Sequence, residues 1–146
     1  MNITSSAFEN KGSVPARYTC DGGGVNPPLD IKSVPTAAQS LALIVDDPDA
    51  PRGDWVHWLL WNLDPTTTIL AENSVPVAAV QGTTDFGTIG WGAPCPPSGS
   101  HRYFFKVYAL DTRLDLPATA RKADLEKAMQ GHILEEAQLM GRYQRS

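Results

Sequence analysis

The residues of this chain best suited to chemistry lie in two proline-locked segments. Asp47-Pro48-Asp49-Ala50-Pro51 is followed at short range by Trp55-Val56-His57, and Gly92-Ala93-Pro94-Cys95-Pro96-Pro97-Ser98-Gly99 runs into Ser100-His101-Arg102-Tyr103. Proline fixes φ and removes a backbone donor, so each segment presents its titratable side chains from a stiff loop. Three chemistries fit two histidines and a carboxylate. His57, His101 and Asp47 could make a facial metal triad, although their positions share no metal-ligand spacing. Ser98, His101 and an aspartate could imitate a hydrolase triad, with His57 or His101 as general acid or base. There is, however, no Gly-x-Ser-x-Gly elbow, and Pro97-Ser98-Gly99 reads as a turn. The third chemistry is an anion site, in which the histidines, the Tyr103 hydroxyl and backbone N–H groups of residues 92–99 surround a phosphate or carboxylate. It uses the most residues with the fewest additions. An Asp47 carboxylate beside the histidines would favour imidazolium, which predicts anion affinity rising as pH falls from about 7 to 6.

These side chains need strands to hold them. Leu41-Ala42-Leu43-Ile44-Val45 is a continuous apolar run of strand length that ends at Asp46-Asp47-Pro48, as expected of a strand buried on both faces. Residues 55–63 alternate less cleanly; period 2 puts Trp55, His57, Leu59 and Trp61 on one face and Val56, Trp58, Leu60 and Asn62 on the other. Residues 101–110 are the strongest strand, rich in aromatic and β-branched residues, with His101, Tyr103, Phe105 and Val107 on one face. Arg102 then points away from His101, which suits an ion pair with Asp49, itself read as a turn-initiating aspartate before proline. Weaker strands are expected at residues 3–8 and 77–84. Residues 121–142 read as an amphipathic helix with Leu125, Ala128, Met129, Ile133, Ala137 and Met140 in one stripe, Gly131 in its interior and His132 as a structural residue. The tryptophans read as core, with Trp91 a candidate pocket wall in its glycine-rich loop.

At 146 residues the chain fits one domain, residues 1–146, large enough to bury a core without a staple. A net charge of −4 gives no broad positive field for nucleic acid or anionic membrane, so any anion must be held locally. No stretch approaches the ~20 apolar residues of a membrane span, and residues 1–6 lack the basic and apolar regions of a signal peptide. A cytosolic protein without integral membrane association is the expectation. The two cysteines, Cys20 and Cys95, are accordingly read as free thiols.

Taken together, Asp47-Pro48-Asp49-Ala50-Pro51, His57, the segment from Gly92 to Gly99 and His101-Arg102-Tyr103 resemble the phosphatidylethanolamine-binding protein family, also called the Raf kinase inhibitor protein family, and its bacterial YbhB/YbcL-like branch. Tyr18-Thr19-Cys20-Asp21-Gly22, Gly131-His132-Ile133-Leu134 and Gly141-Arg142-Tyr143 extend the resemblance almost end to end. It implies an all-β fold: a two-sheet antiparallel Greek-key β-sandwich with a C-terminal α-helix. It also implies a small pocket formed by Asp47, Pro51, His57, Pro96, His101 and Tyr103 for a phosphate, phospholipid head group or carboxylate; no cofactor or metal is expected from the residues. Regulation of a kinase or inhibition of a protease through protein contacts, and a homodimer, are further implications; a hydrolase using Asp47, His57 and His101 is the alternative. Gly24-Val25-Asn26-Pro27-Pro28-Leu29 departs from the branch's usual Asn-x-Ser-Pro-Pro-Leu, and Arg121 stands where a capping Ser or Thr is common.

Overall fold

The computed structural model describes residues 1–145. In chain order its elements are β1 (Asn2–Thr4), a 3-10 turn (Ala16–Tyr18), β2 (Leu29–Lys32), β3 (Ser40–Asp47), β4 (Trp55–Leu63), β5 (Ile69–Leu70), β6 (Val80–Gln81), β7 (His101–Leu110), α1 (Lys122–Met129) and β8 (Ile133–Tyr143). Two antiparallel sheets result, β1-β2-β5 and β6-β4-β3-β7-β8. The unbroken apolar run of β3 takes the central place that its composition requires, with all eight residues buried between β4 and β7. The expected strand at residues 3–8 ends at Thr4, and that at 77–84 contracts to Val80–Gln81.

Strand alternation divides the interior in two. Leu41, Leu43 and Val45 of β3 join Trp58, Tyr103, Phe105, Leu29 and Ile31 in the core between the sheets. Ala42 and Ile44 point the other way and pack with Val56, Leu59, Trp61, Leu125 and Met129, so α1 covers the outer face of the larger sheet. Each fully buried Leu, Ile or Phe contributes about 1.5–3 kcal/mol relative to exposure. Burial along β7 alternates as its sequence predicts, with His101, Tyr103, Phe105 and Val107 inside.

Three expectations are corrected. In β4, Trp58 pairs with Val45 and Val56 with Asp46, so His57 is the extra residue of a bulge. The bulge resets the parity: Val56 joins Leu59 and Trp61 in the outer core, while Trp58 and Leu60 face the sheet interior, and His57 no longer shares a face with Leu59.

The helix expected at 121–142 covers only Lys122–Met129. Gly131, at φ +81°, reverses the chain after it, and residues 133–143 pair with β7 over ten positions. Helix propensity in Glu135-Glu136-Ala137-Gln138-Leu139 loses to that ladder, because tertiary pairing outweighs a few tenths of a kcal/mol per residue. His132 therefore lies in a turn, with its Nδ1 2.7 Å from Asp111 Oδ1.

Finally, Cys20 and Cys95 are not free thiols but a disulfide joining positions 75 apart. The compartment argument has no access to the fold, which sets the turn at Thr19–Gly22 against the proline-rich loop, with Cys20 N–H donating to Pro94 O at 3.1 Å. Among the described residues no helix is long and apolar enough to cross a membrane.

Candidate functional site

Asp46 and Asp47 end the central strand on opposite faces. The outward Asp46 meets Lys122 Nζ at 3.1 Å and Lys106, and burial pushes its carboxyl up from the ordinary range. The inward Asp47 accepts from the Asp49 N–H at 2.8 Å, and its second oxygen lies 2.7 Å from His101 Nδ1. A carboxylate only accepts, so that nitrogen carries the proton and Nε2 is the ring nitrogen left for a ligand.

The loop after Asp47 is clamped to β7 one residue further along. Arg102 grips Asp49 with a fork, Nε to Oδ2 at 2.9 Å and Nη2 to Oδ1 at 2.8 Å, and its backbone N–H donates to Oδ2 at 2.9 Å. The hydrogen bonds from Arg102 hold the Asp49 carboxyl at about 2, below its ordinary 3.8. Asp49 and Arg102 form the ion pair that alternation predicts, and neither lines the cavity described below.

His57 is fixed by the other proline-rich segment. Its Nδ1 lies 2.7 Å from Gly92 O, and Gly92 N–H returns a bond to His57 O at 2.8 Å. The carbonyl requires a proton on Nδ1, so in the neutral ring Nε2 is an acceptor. Burial pulls the His57 imidazole below its ordinary value, against the upward pull of the Gly92 bond and of Asp47, Asp85 and Asp54. Thus the expected elevation of both histidines by Asp47 fails at His57, where desolvation outweighs a carboxylate that is hydrogen-bonded to His101 instead. A Cβ at Gly92 would meet the Phe86 ring, so glycine lets that ring lie against the site.

The two histidines and Tyr103 converge. The His57 ring stands edge-on to Tyr103 and to Phe86, with centroids 5.2 Å apart in each case. Burial, followed by the charges of Asp47 and Asp49, raises the Tyr103 phenol above its ordinary value and keeps it an O–H donor. Asp47, Pro51, His57, Pro96, His101 and Tyr103 all line one cavity of about 360 Å³. Sequence reasoning missed Arg52, Trp55 and Phe86, which line it as well, while Cys95 belongs to the 92–99 segment already placed around the anion. Trp55, read as core, was marked by its place where the acidic loop meets β4; nothing local marked Phe86. Trp91 is not a wall: it stacks on Phe105 and meets Trp58 edge-on behind the site.

Its lining combines apolar and aromatic side chains with a few fixed polar groups, and the apolar surroundings strengthen each polar contact by lowering the local dielectric. Among the described residues, no three His, Cys, Asp or Glu are placed to hold a metal ion, so Asp47, His57 and His101 do not close into the triad weighed from sequence. Nor does Ser98 hydrogen-bond to His101.

Fold and site together define a class. The family model for phosphatidylethanolamine-binding proteins matches residues 4–144, and the chain belongs to that family. A UPF0098 protein of Methanothermobacter thermautotrophicus is 53% identical over 99% of both chains, and one of Chlamydia muridarum is 46% identical, again over 99% of both. The structure of a phosphatidylethanolamine-binding protein homolog from Chlamydia trachomatis superposes with a TM-score of 0.96 at 44% identity, covering 99% of this chain and 97% of that one. Escherichia coli YbcL, described as a member of the mammalian family, superposes at 0.92 with 30% identity, covering 99% and 98%.

Proposed function

We propose that the protein binds a small anionic group, a phosphate or carboxylate head, in the cavity between His57 and His101. One observation carries the reading. Two histidines from different strands each commit Nδ1 to a fixed acceptor, Gly92 O and Asp47 Oδ2, and both line one cavity together with a protonated tyrosine. Rings oriented in this way turn Nε2 to the ligand as a donor once the ring is protonated, beside the phenol O–H, with no reorientation of the side chains on binding. The match to phosphatidylethanolamine-binding proteins supports the same class of ligand. Isothermal titration with inorganic phosphate and with glycerophosphoethanolamine tests it. Saturable binding that weakens in His57→Ala and His101→Ala, with each variant still folded, is the expected result; heatless mixing with both ligands would remove the reading.

The Asp47–His101 pair also has the geometry of an oriented acid–base group, which favours hydrolysis as the second reading. Turnover of phosphate or acyl esters that disappears in His101→Ala would select it. Self-association is proposed alongside, on the strength of the exposed apolar residues Ile133 and Leu134 at the start of the edge strand β8. Light scattering at a dimer mass would support it, and a monomer mass at micromolar concentration would exclude it.

A further inference from the structure

We propose that the Cys20–Cys95 disulfide is a thiol-exchange site that sets the rigidity of one wall of the cavity. Cys95 lines the cavity between the buried Pro94 and Pro96, yet both cysteines are exposed at the surface. An exposed disulfide is open to thiolate attack, whereas a buried one is not.

The hydrogen bonds of the two partners are unequal. On one side, Thr19 N–H donates to Ala16 O at 3.0 Å and Gly22 N–H to Thr19 O at 3.1 Å; Asp21 N–H donates to Thr19 Oγ1 at 3.2 Å, and the Tyr143 hydroxyl bonds Asp21. Cys20 thus sits in an anchored turn. On the other side, Gly92 is tied to His57 and Pro94 O accepts from Cys20 N–H, but residues 95–100 make no hydrogen bond among the described residues. Pro96 and Pro97 have no N–H to give. Between Pro94 and the start of β7, the covalent link to Cys20 is the tether of the segment that presents Pro96 to the cavity.

Reduction by a dithiol balances as a two-electron exchange. Its thiolate attacks one sulfur and breaks the Cys20–Cys95 bond, forming a mixed disulfide. Its second sulfur then displaces the protein sulfur and leaves as the oxidised disulfide, and the two protons of the reductant end on Cys20 and Cys95 as thiols. The core between the sheets does not contain either cysteine, so the sandwich persists while residues 95–100 gain freedom. An anion must then order the wall as it binds, which weakens its affinity.

The phosphate arm of the test rests on the anion reading; the mobility arm does not. Dithiothreitol is added to the folded protein, thiols are counted, and backbone order parameters and phosphate affinity are measured before and after, with Cys20→Ser as a permanently open form that substitutes no cavity-lining residue. Two thiols should appear with the circular dichroism unchanged. Order parameters at Cys95, Ser98 and Gly99 should fall from about 0.85 to below about 0.6, and the phosphate dissociation constant should rise about tenfold. If the oxidised protein binds no phosphate, the anion reading fails and the order parameters alone decide this one. A disulfide reduced only on unfolding, unchanged order parameters, or a loosened loop with undiminished phosphate affinity would each overturn it. Should Cys20→Ser fail to fold, the reduced natural chain supplies the same comparison.

Discussion

His101 Nδ1 lies 2.7 Å from Asp47 Oδ2, joining the first residue of β7 to the last of β3 where both are nearly sealed from water, at 9% and 4% side-chain exposure. Truncation of Asp47 would leave the His101 donor and the Asp49 N–H without their acceptor. Asp47→Ala is expected to cost about 1–3 kcal/mol, the usual penalty for orphaned buried groups. Urea unfolding checks this, and an unmoved midpoint would show that the pair adds nothing to stability.

The Arg102–Asp49 fork makes a separate prediction about acid. The native Asp49 carboxyl titrates at about 2 against an ordinary 3.8, so the unfolded state takes up its proton first as pH falls. The pair's contribution is therefore complete above about pH 4 and lost as pH drops through about 2. Arg102→Ala should be less stable than the natural chain at pH 5 and converge on it towards pH 2. Exposure of both side chains keeps the difference small, since solvent screens the pair. Parallel stability curves at all pH values would rule out the fork as their source.

Gly92→Ala probes the aromatic wall. The new Cβ collides with the ring of Phe86, a residue that is 45% exposed and can swing outward, so the fold should survive. What is lost is the edge-on contact of Phe86 with His57 and Trp55. The expected outcome is an unfolding midpoint close to that of the natural chain, with shifted His57 ring proton resonances. A collapsed midpoint with unshifted resonances would mean that Phe86 cannot move and the backbone yields instead.

Much of this site was legible because prolines, histidines and strand ends advertise themselves. All six residues expected from sequence surround one cavity, and Arg102 turns to Asp49 as alternation requires. The failures share a cause: each depends on contacts between distant segments. The bulge that frees His57 from the face of Leu59 is a register event between β3 and β4. The strand after Gly131 carries a helical composition and becomes β only by pairing with β7. Phe86 comes to the cavity, and Cys20 to Cys95, from loops whose local residues say nothing of their destination.

His57 gives its Nδ1–H to Gly92, and burial holds the ring below its ordinary 6.5, so at neutral pH it turns a lone pair towards the cavity. A lone pair repels an anion. Binding at His57 is favourable once Nε2 carries a proton, which the anion itself stabilises. Without ligand, protonation opposes the fold: the native value is depressed, so stability is complete above about pH 6.5 and declines as pH falls from there through the native value. Phosphate should reverse that decline. Its affinity, corrected for the ligand's own titration, should rise as pH falls below about 6.5, a lower window than an Asp47-elevated histidine would give. Titration calorimetry in two buffers of different ionisation enthalpy should show net proton uptake by the protein–ligand system. His57→Asn separates this residue from every other group, because the difference between its profile and that of the natural chain reports His57 alone. If the two profiles run parallel, the anion is held by the Tyr103 hydroxyl and His101 without a charge on His57.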